Sequence, residues 1–284
     1  MSLNEKVIGK KYIVEPKEIT AHESIYYALA VNEDNDAYFD NRRDGGIIAP
    51  PMYAVNYAGA PVAQMFFDQE TGLNMAAVLH YSQEFEWLLP VKPGDVITTE
   101  GEISHIEVRE KGGIMGFRIV SRNQENKEVV RGMFEFFDRS AGSGKPGDKK
   151  SGKQEPGEVL WTQEMKVRNG QSFIYAEPSG DHNPIHINND FAVKVGLPGI
   201  ILQGLCTMAF THRAAVDNLC GNERDPLKLK RFHVRFSRPV LPGQDLMFQG
   251  YAISKDKEGA KYGITVKNSE GSEVLRDAWC IIEE

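Results

Sequence analysis

The 284-residue sequence predicts an α+β protein built twice on one plan, each half a run of antiparallel strands laid around a single long helix. Three observations carry this. Pro90-Val-Lys-Pro93-Gly94-Asp95 recurs as Pro239-Val-Leu-Pro242-Gly243-Gln244-Asp245, 149 residues on (239 minus 90), each time ahead of a strand-like stretch, and Tyr26 falls on Tyr175 at the same spacing. Residues 140–157, SAGSGKPGDKKSGKQEPG, hold no large apolar side chain and read as a linker between halves of similar length. Stretches of alternating apolar and polar residues also follow one another through short connections such as 123–127 and 256–260, the pattern of antiparallel neighbours.

In each half the expected order is a first strand, a tyrosine-led turn region, one helix, then several strands. The first half has a turn region at Tyr26, an apolar run over 47–67, and strands at 84–89, 96–108, 114–123 and 128–137. The second has strands at 161–167, 229–236, 245–255, 262–268 and 274–282. Between the first two of these, Leu205, Met208, Ala209, His212, Val216 and Leu219 fall on one helical stripe, and Cys220-Gly221-Asn222 supplies a stop. A helix of about 17 residues extends ~25 Å, enough for a curved sheet to wrap it along its length.

Hydrophobic residues at 41% and charged residues at 26% describe a chain that folds. A net charge of -7 and a pI near 5.6 argue against reliance on a general basic field, so neither nucleic acid nor an anionic membrane is an expected partner. No apolar run approaches the ~18 to 20 residues needed to span a bilayer, and MSLNEKVIGKKY lacks the apolar centre of a signal peptide, so a cytoplasmic location is expected. Cys206, Cys220 and Cys280 are odd in number and without metal-binding spacing, as suits reduced, buried thiols.

The chemistry concentrates in Ser179-Gly180-Asp181-His182-Asn183-Pro184-Ile185-His186. Glycine before the acid and proline after the asparagine disfavour regular structure, so Asp181 and His186 are expected on a fixed loop. A carboxylate beside an imidazole can take a proton from water and return one to a substrate; an Asx-turn with a surface histidine fits the same residues equally well. His182 and His186 have the spacing of helical zinc ligands, but Pro184 lies between them and no third ligand is evident, so no metal is expected. A serine hydrolase fits worse, with no G-x-S-x-G elbow. Downstream, Gly204 opens the predicted helix, where unpaired amides at the positive end of the dipole can polarise a carbonyl; a glycine kept for close packing is the alternative.

Tyr175, the 179–186 motif with Ala192 six residues later, and Leu197-Pro198-Gly199 followed by Ile201-Leu202-Gln203-Gly204-Leu205-Cys206-Thr207 resemble the MaoC-like, (R)-specific enoyl-CoA hydratases and 3-hydroxyacyl-CoA dehydratases, in their two-domain hydratase 2 form. The resemblance extends to His80 through Pro90 and Pro93-Gly94-Asp95. It implies a double hot-dog fold: a degenerate first domain (1–139) that houses the acyl chain, the linker (140–157), and a catalytic second domain (158–284). Asp181 and His186 would activate water, Asn183 would orient it, and the Gly204 amide would be the oxyanion donor. Water would add across a trans-2-enoyl-CoA, or leave in reverse, with no cofactor beyond the CoA thioester that is the substrate.

Two departures stand out: Pro178 where the pattern prefers an aliphatic residue, and Gln203 where many members have histidine. At the 149-residue spacing Asn32 matches Asp181, Ala37 matches His186 and Val55 matches Gly204, so the first half is not a second active site. Its run with Met52, Tyr53, Tyr57, Met65 and Phe66 reads either as acyl-chain lining or as the half's own core. Lys228, Lys230, Arg231, Arg235 and Arg238 form the densest basic cluster, with Arg231, Arg235 and Arg238 as candidate contacts for CoA phosphates or members of a solvated face. A hot-dog thioesterase and a non-catalytic acyl-CoA-binding subunit are the competing functions, and a homodimer is compatible with the plan.

Overall fold

A computed structural model describes residues 3–144 and 157–283, so most of the predicted linker lies outside the described residues. The first half comprises β1 (Lys11–Ile13), β2 (Lys17–Glu18), α1 (Ala21–Ala30), α2 (Ala54–Phe67), β3 (Val78–Trp87), β4 (Val96–Arg109), β5 (Gly112–Arg122) and β6 (Glu128–Asp138). The second comprises β7 (Trp161–Lys166), α3 (Gln171–Ser179), α4 (Pro184–Ile187), α5 (Asn189–Lys194), α6 (Gly204–Leu219), β8 (Leu229–Phe236), β9 (Asp245–Asp256), β10 (Gly259–Asn268) and β11 (Glu273–Ile282).

The strands form one sheet in the order β1-β4-β5-β6-β3-β8-β11-β10-β9-β7, with β2 pairing β4 off this path. Read inward from each end the two halves have the same order, and they join where β3 runs antiparallel to β8. At that seam Glu84 pairs with His233, residues 149 apart (233 minus 84), so the sequence repeat and the pairing register share one approximate two-fold axis. This is the double hot-dog fold. Along β8, Phe232 and Val234 are buried toward the helices, while Arg231, His233 and Arg235 take the outer face, as a two-residue period requires.

The hot-dog helix of the second half is α6. Residues Cys206 to His212 and Ala214 to Val216 are all buried, so the helix is apolar nearly all round, as expected of one wrapped by a sheet. It stops at Cys220, whose amide bonds to Val216 O, and Gly221 turns the chain at φ 80. The three cysteines are free and buried. In the first half, Met52, Tyr53, Tyr57 and Met65 are buried core residues of α2 and the turn before it, whereas Phe66 is only partly buried. Among the described residues no helix is long and apolar enough to cross a membrane.

The tyrosine-led turn regions are in fact helices, α1 and α3. Thr20 and Glu23 form a capping box ahead of α1: the Thr20 hydroxyl accepts from the Glu23 amide at 3.2 Å and donates to its carboxylate at 2.9 Å. The repeat also shifts by one residue here. Tyr26 is 53% exposed, and it is Tyr27 that turns inward, fully buried, to pack against Tyr175 at 5.8 Å and Tyr53 at 5.5 Å between ring centroids.

Candidate active site

The motif is not an irregular loop. Helix α3 runs through Pro178 to Ser179 and ends at Gly180, which adopts φ 75 and so turns the chain toward Asp181. Pro184 is the first residue of the one-turn helix α4, where a missing N–H costs nothing, and His186 sits on that turn. Asn183 is the cap: its side-chain oxygen accepts from the Ile185 amide at 3.3 Å, and its carbonyl accepts from the His186 amide at 2.9 Å. The asparagine therefore shapes the turn that aims His186.

His186 is buried, and its Nδ1 lies 2.8 Å from the carbonyl of Ile201. A carbonyl only accepts, so Nδ1 carries the hydrogen and the Nε2 lone pair is left to face the site. Nε2 stands 3.7 Å from Asp181 Oδ2. The other carboxylate oxygen accepts from the Asn183 amide at 3.2 Å, leaving Oδ2 toward the imidazole. A hydrogen-bond acceptor and a carboxylate thus converge on one point, 3.7 Å apart. His182 points elsewhere and meets Glu177 at 3.1 Å on the surface. No group of three or more His, Cys, Asp or Glu placed to hold a metal occurs among the described residues.

Gly204 is the first residue of α6, which has no side-chain cap. A Cβ built on it would come within 3.0 Å of the Phe236 ring at the end of β8, so the glycine allows a close approach of helix and sheet here. Gln203, just before it, is fully buried, and its amide nitrogen donates to Ser172 O at 3.0 Å and to Asp181 O at 3.3 Å. That side chain ties the Asp181 turn to the mouth of α6. The sequence marked Gln203 only as a departure from a pattern; the buried amide between a glycine and an apolar helix was the available signal.

At the matching place in the first half a cleft is lined by Pro50, Pro51, Tyr57, Trp87, Leu88 and Pro90 among others. These stand 149 residues before Gly199, Ile200, Cys206, Phe236, Ser237 and Pro239. Ala37 and Val55 are buried, and the side chain of Asn32, at φ 59, donates a long 3.4 Å hydrogen bond to Gln171 Oε1. The frame persists there without an acid, a base or an open glycine.

The basic cluster is only partly available. Arg231 pairs with Glu84 and lies over the Trp279 ring, Arg235 pairs with Asp277 and lies over Tyr81, and Lys230 pairs with Glu283. Arg231 and Arg235 occupy the outer sheet face, across the sheet from the helices. Period-two alternation points them to the opposite face of the sheet from Phe236, the residue that meets Gly204. Arg238, two residues past Phe236, is exposed.

Residues 151–272 match the MaoC like domain, and residues 6–131 match a FAS1-like dehydratase domain region. The second half of the chain thus carries a MaoC-like domain and the first half a dehydratase-like region. Among similar proteins, one named probable enoyl-CoA hydratase 2 from Dictyostelium discoideum is 26% identical over 98% of this chain and 96% of its own length. A 3-hydroxyacyl-thioester dehydratase Y from Mycobacterium tuberculosis is 27% identical over 96% and 95%. Peroxisomal multifunctional enzyme type 2 of Drosophila melanogaster is 27% identical over 95% of this chain, which spans 47% of that protein. A solved MaoC-like dehydratase from Phytophthora capsici superposes with a TM-score of 0.81 at 22% identity, covering 100% of this chain and 98% of that one, and so has the same fold. Hydratase and dehydratase name two directions of one hydro-lyase reaction, so the names of these two relatives describe one class of chemistry.

Proposed function

We propose that this MaoC-like protein adds water reversibly across a trans-2-enoyl-CoA thioester to give the (R)-3-hydroxyacyl-CoA, with Asp181 and His186 as the catalytic pair. The observation that carries the reading is the 3.7 Å approach of Asp181 Oδ2 and His186 Nε2 beside the uncapped start of α6. A water held between the two gives its oxygen to the β carbon; the pair takes its proton and returns one to the α carbon. Negative charge grows on the thioester oxygen as the new bond forms. The Gly204 amide, at the positive end of the helix dipole, is the donor for that oxygen. Asn183 acts through the cap that sets the His186 turn.

The acyl chain leaves the thioester past Phe236 toward the first half, whose Phe66, His80, Phe134 and Phe136 continue the wall. Arg238 is the cation of the basic cluster best placed for the coenzyme phosphates, since it is exposed beyond the end of β8 that reaches Gly204. The reading invokes no cofactor beyond the thioester itself.

Following crotonyl-CoA by loss of enoyl absorbance, Asp181→Asn and His186→Ala should each lower turnover ~10² to 10⁴-fold with the fold preserved. Near-normal hydration by both variants would remove the assignment. Release of free thiol by the wild type without loss of the enoyl group would make it a thioesterase instead.

A further inference from the structure

Helix α3 leads into Asp181, and the carbonyls of its last turn must find donors outside the helical ladder. Two find them locally: Tyr175 O accepts from the Ser179 hydroxyl at 2.7 Å, and Ala176 O accepts from the Gly180 amide at 2.9 Å. The Ser179 hydroxyl in turn accepts from the Asp181 amide at 3.2 Å, so the turn that carries the acid hangs on the end of the helix. The carbonyl of Pro178, a buried residue, is met from the other half of the molecule. Asn56, in the first turn of α2, donates to it from Nδ2 at 2.7 Å.

The orientation of the Asn56 amide is fixed from both sides. Lys17 Nζ of β2 lies 2.6 Å from its Oδ1, and an ammonium only donates, so the oxygen faces Lys17 and the nitrogen faces the Pro178 carbonyl. Lys17 is itself held by Glu23 of α1 at 3.0 Å and lies 5.9 Å over the Tyr53 ring. A cation on the amide oxygen polarises the group and strengthens its N–H as a donor. Gln171 serves the end of α1 in a similar way, donating to Ala30 O at 2.5 Å, but that helix leads to no acid. The second half has Leu205 at the position of Asn56, 149 residues on, so the asparagine is no fixed part of the repeated plan.

We propose that Asn56, oriented by Lys17, is a positioning residue for the reaction: a side chain of the first half that fixes the end of α3 and thereby the place of the Asp181 carboxylate relative to His186. The inference rests on the hydratase reading for the role of Asp181, and on the chain from Lys17 through Asn56 to Pro178 for the anchor.

Asn56→Leu removes the donor with little change in size and should lower kcat on crotonyl-CoA ~10-fold with KM nearly unchanged. Asn56→Asp, which keeps a partner for Lys17 but sets an acceptor against the carbonyl, should lose as much, and Asn56→Gln, which keeps an amide, should recover part of the loss. A residue that served stability alone would cost the same factor in any background. Made in Asp181→Asn, where the carboxylate is already gone, Asn56→Leu should change the residual turnover less than ~2-fold. A ~10-fold loss in both backgrounds, or wild-type kcat in Asn56→Leu, would overturn the proposal. Hydrogen exchange without substrate reads the anchor directly: the Gly180 and Asp181 amides should exchange ~10-fold faster in Asn56→Leu than in the wild type, and unchanged rates would equally overturn it. Should Asn56→Leu fail to fold, Asn56→Asp and Asn56→Gln decide in its place, equal kcat in the two counting against the anchor. Absence of wild-type hydration, or undiminished turnover in Asp181→Asn, would instead count against the hydratase reading, while the exchange rates still judge the anchor.

Discussion

Gln203 shows how much a single side chain does at the mouth of α6. Its amide spans from Ser172 O to Asp181 O, so one buried group fixes both the start of α3 and the Asp181 turn. Leucine there would leave two buried carbonyls with one donor fewer, a loss of about 1 to 3 kcal/mol. Because the effect passes through the position of Asp181, Gln203→Leu should lower kcat ~10-fold with little change in KM, measured on crotonyl-CoA alongside the melting temperature. A melting temperature that falls while kcat stays at the wild-type value would make Gln203 a purely structural residue. Asp181, His186 and Gly204 were legible as residue types at a spacing. Their roles as neighbours depended on the Nδ1 bond to Ile201 O, which comes from a residue 15 positions away.

At the scale of elements, α1 and α3 are the parts that the residue pattern left as turns. Both are short, 10 and 9 residues, and α3 contains a proline, so neither has the length at which periodicity is persuasive. The cap ahead of α1, Thr20 with Glu23, was identified only in the structure. Thr20→Ala should lower stability by about 1 kcal/mol in urea unfolding and leave turnover at the second-half site unaltered, because the cap serves α1 alone. A loss of activity equal to that of Gln203→Leu would mean that α1 communicates with the site through its packing on α3. The strands were the most legible elements. β8 spans the residues expected of it, because alternation of Phe232, Val234 and Phe236 with Arg231, His233 and Arg235 records which face is buried.

Across the whole molecule the two halves share one core and one sheet, and their buried imidazoles couple stability to pH. His212 of α6 is 1% exposed, with Trp87 of the first half at 5.2 Å and Phe232 at 5.9 Å, and desolvation pushes its pKa down to about 3. An unfolded histidine titrates near ~6.5. Between these values the unfolded chain binds more protons than the folded one, so stability falls as pH drops from ~6.5 toward 3. His80 acts in the same direction. In urea titrations at pH 7 and pH 4.5, His212→Phe should lose less stability on acidification than the wild type; an identical loss would show that carboxylates alone set the acid limb.

The sequence by itself determined the double plan, the order and faces of the long strands, the long second helix and the set of residues available for acid–base chemistry. Each of these is recorded locally, in a repeat spacing, a two-residue or 3.6-residue period, or a run of adjacent residues. Only the tertiary structure decided that Tyr27 rather than Tyr26 turns inward, that Gln203 binds the Asp181 turn, that Arg231 and Arg235 are engaged on the outer face, and that His80 of the first half stands next to Phe236 of the second. The reason is common to all four. Each is settled by packing or hydrogen bonding between segments distant in the chain, and the antiparallel seam of β3 with β8 is what brings the two halves of the wall together.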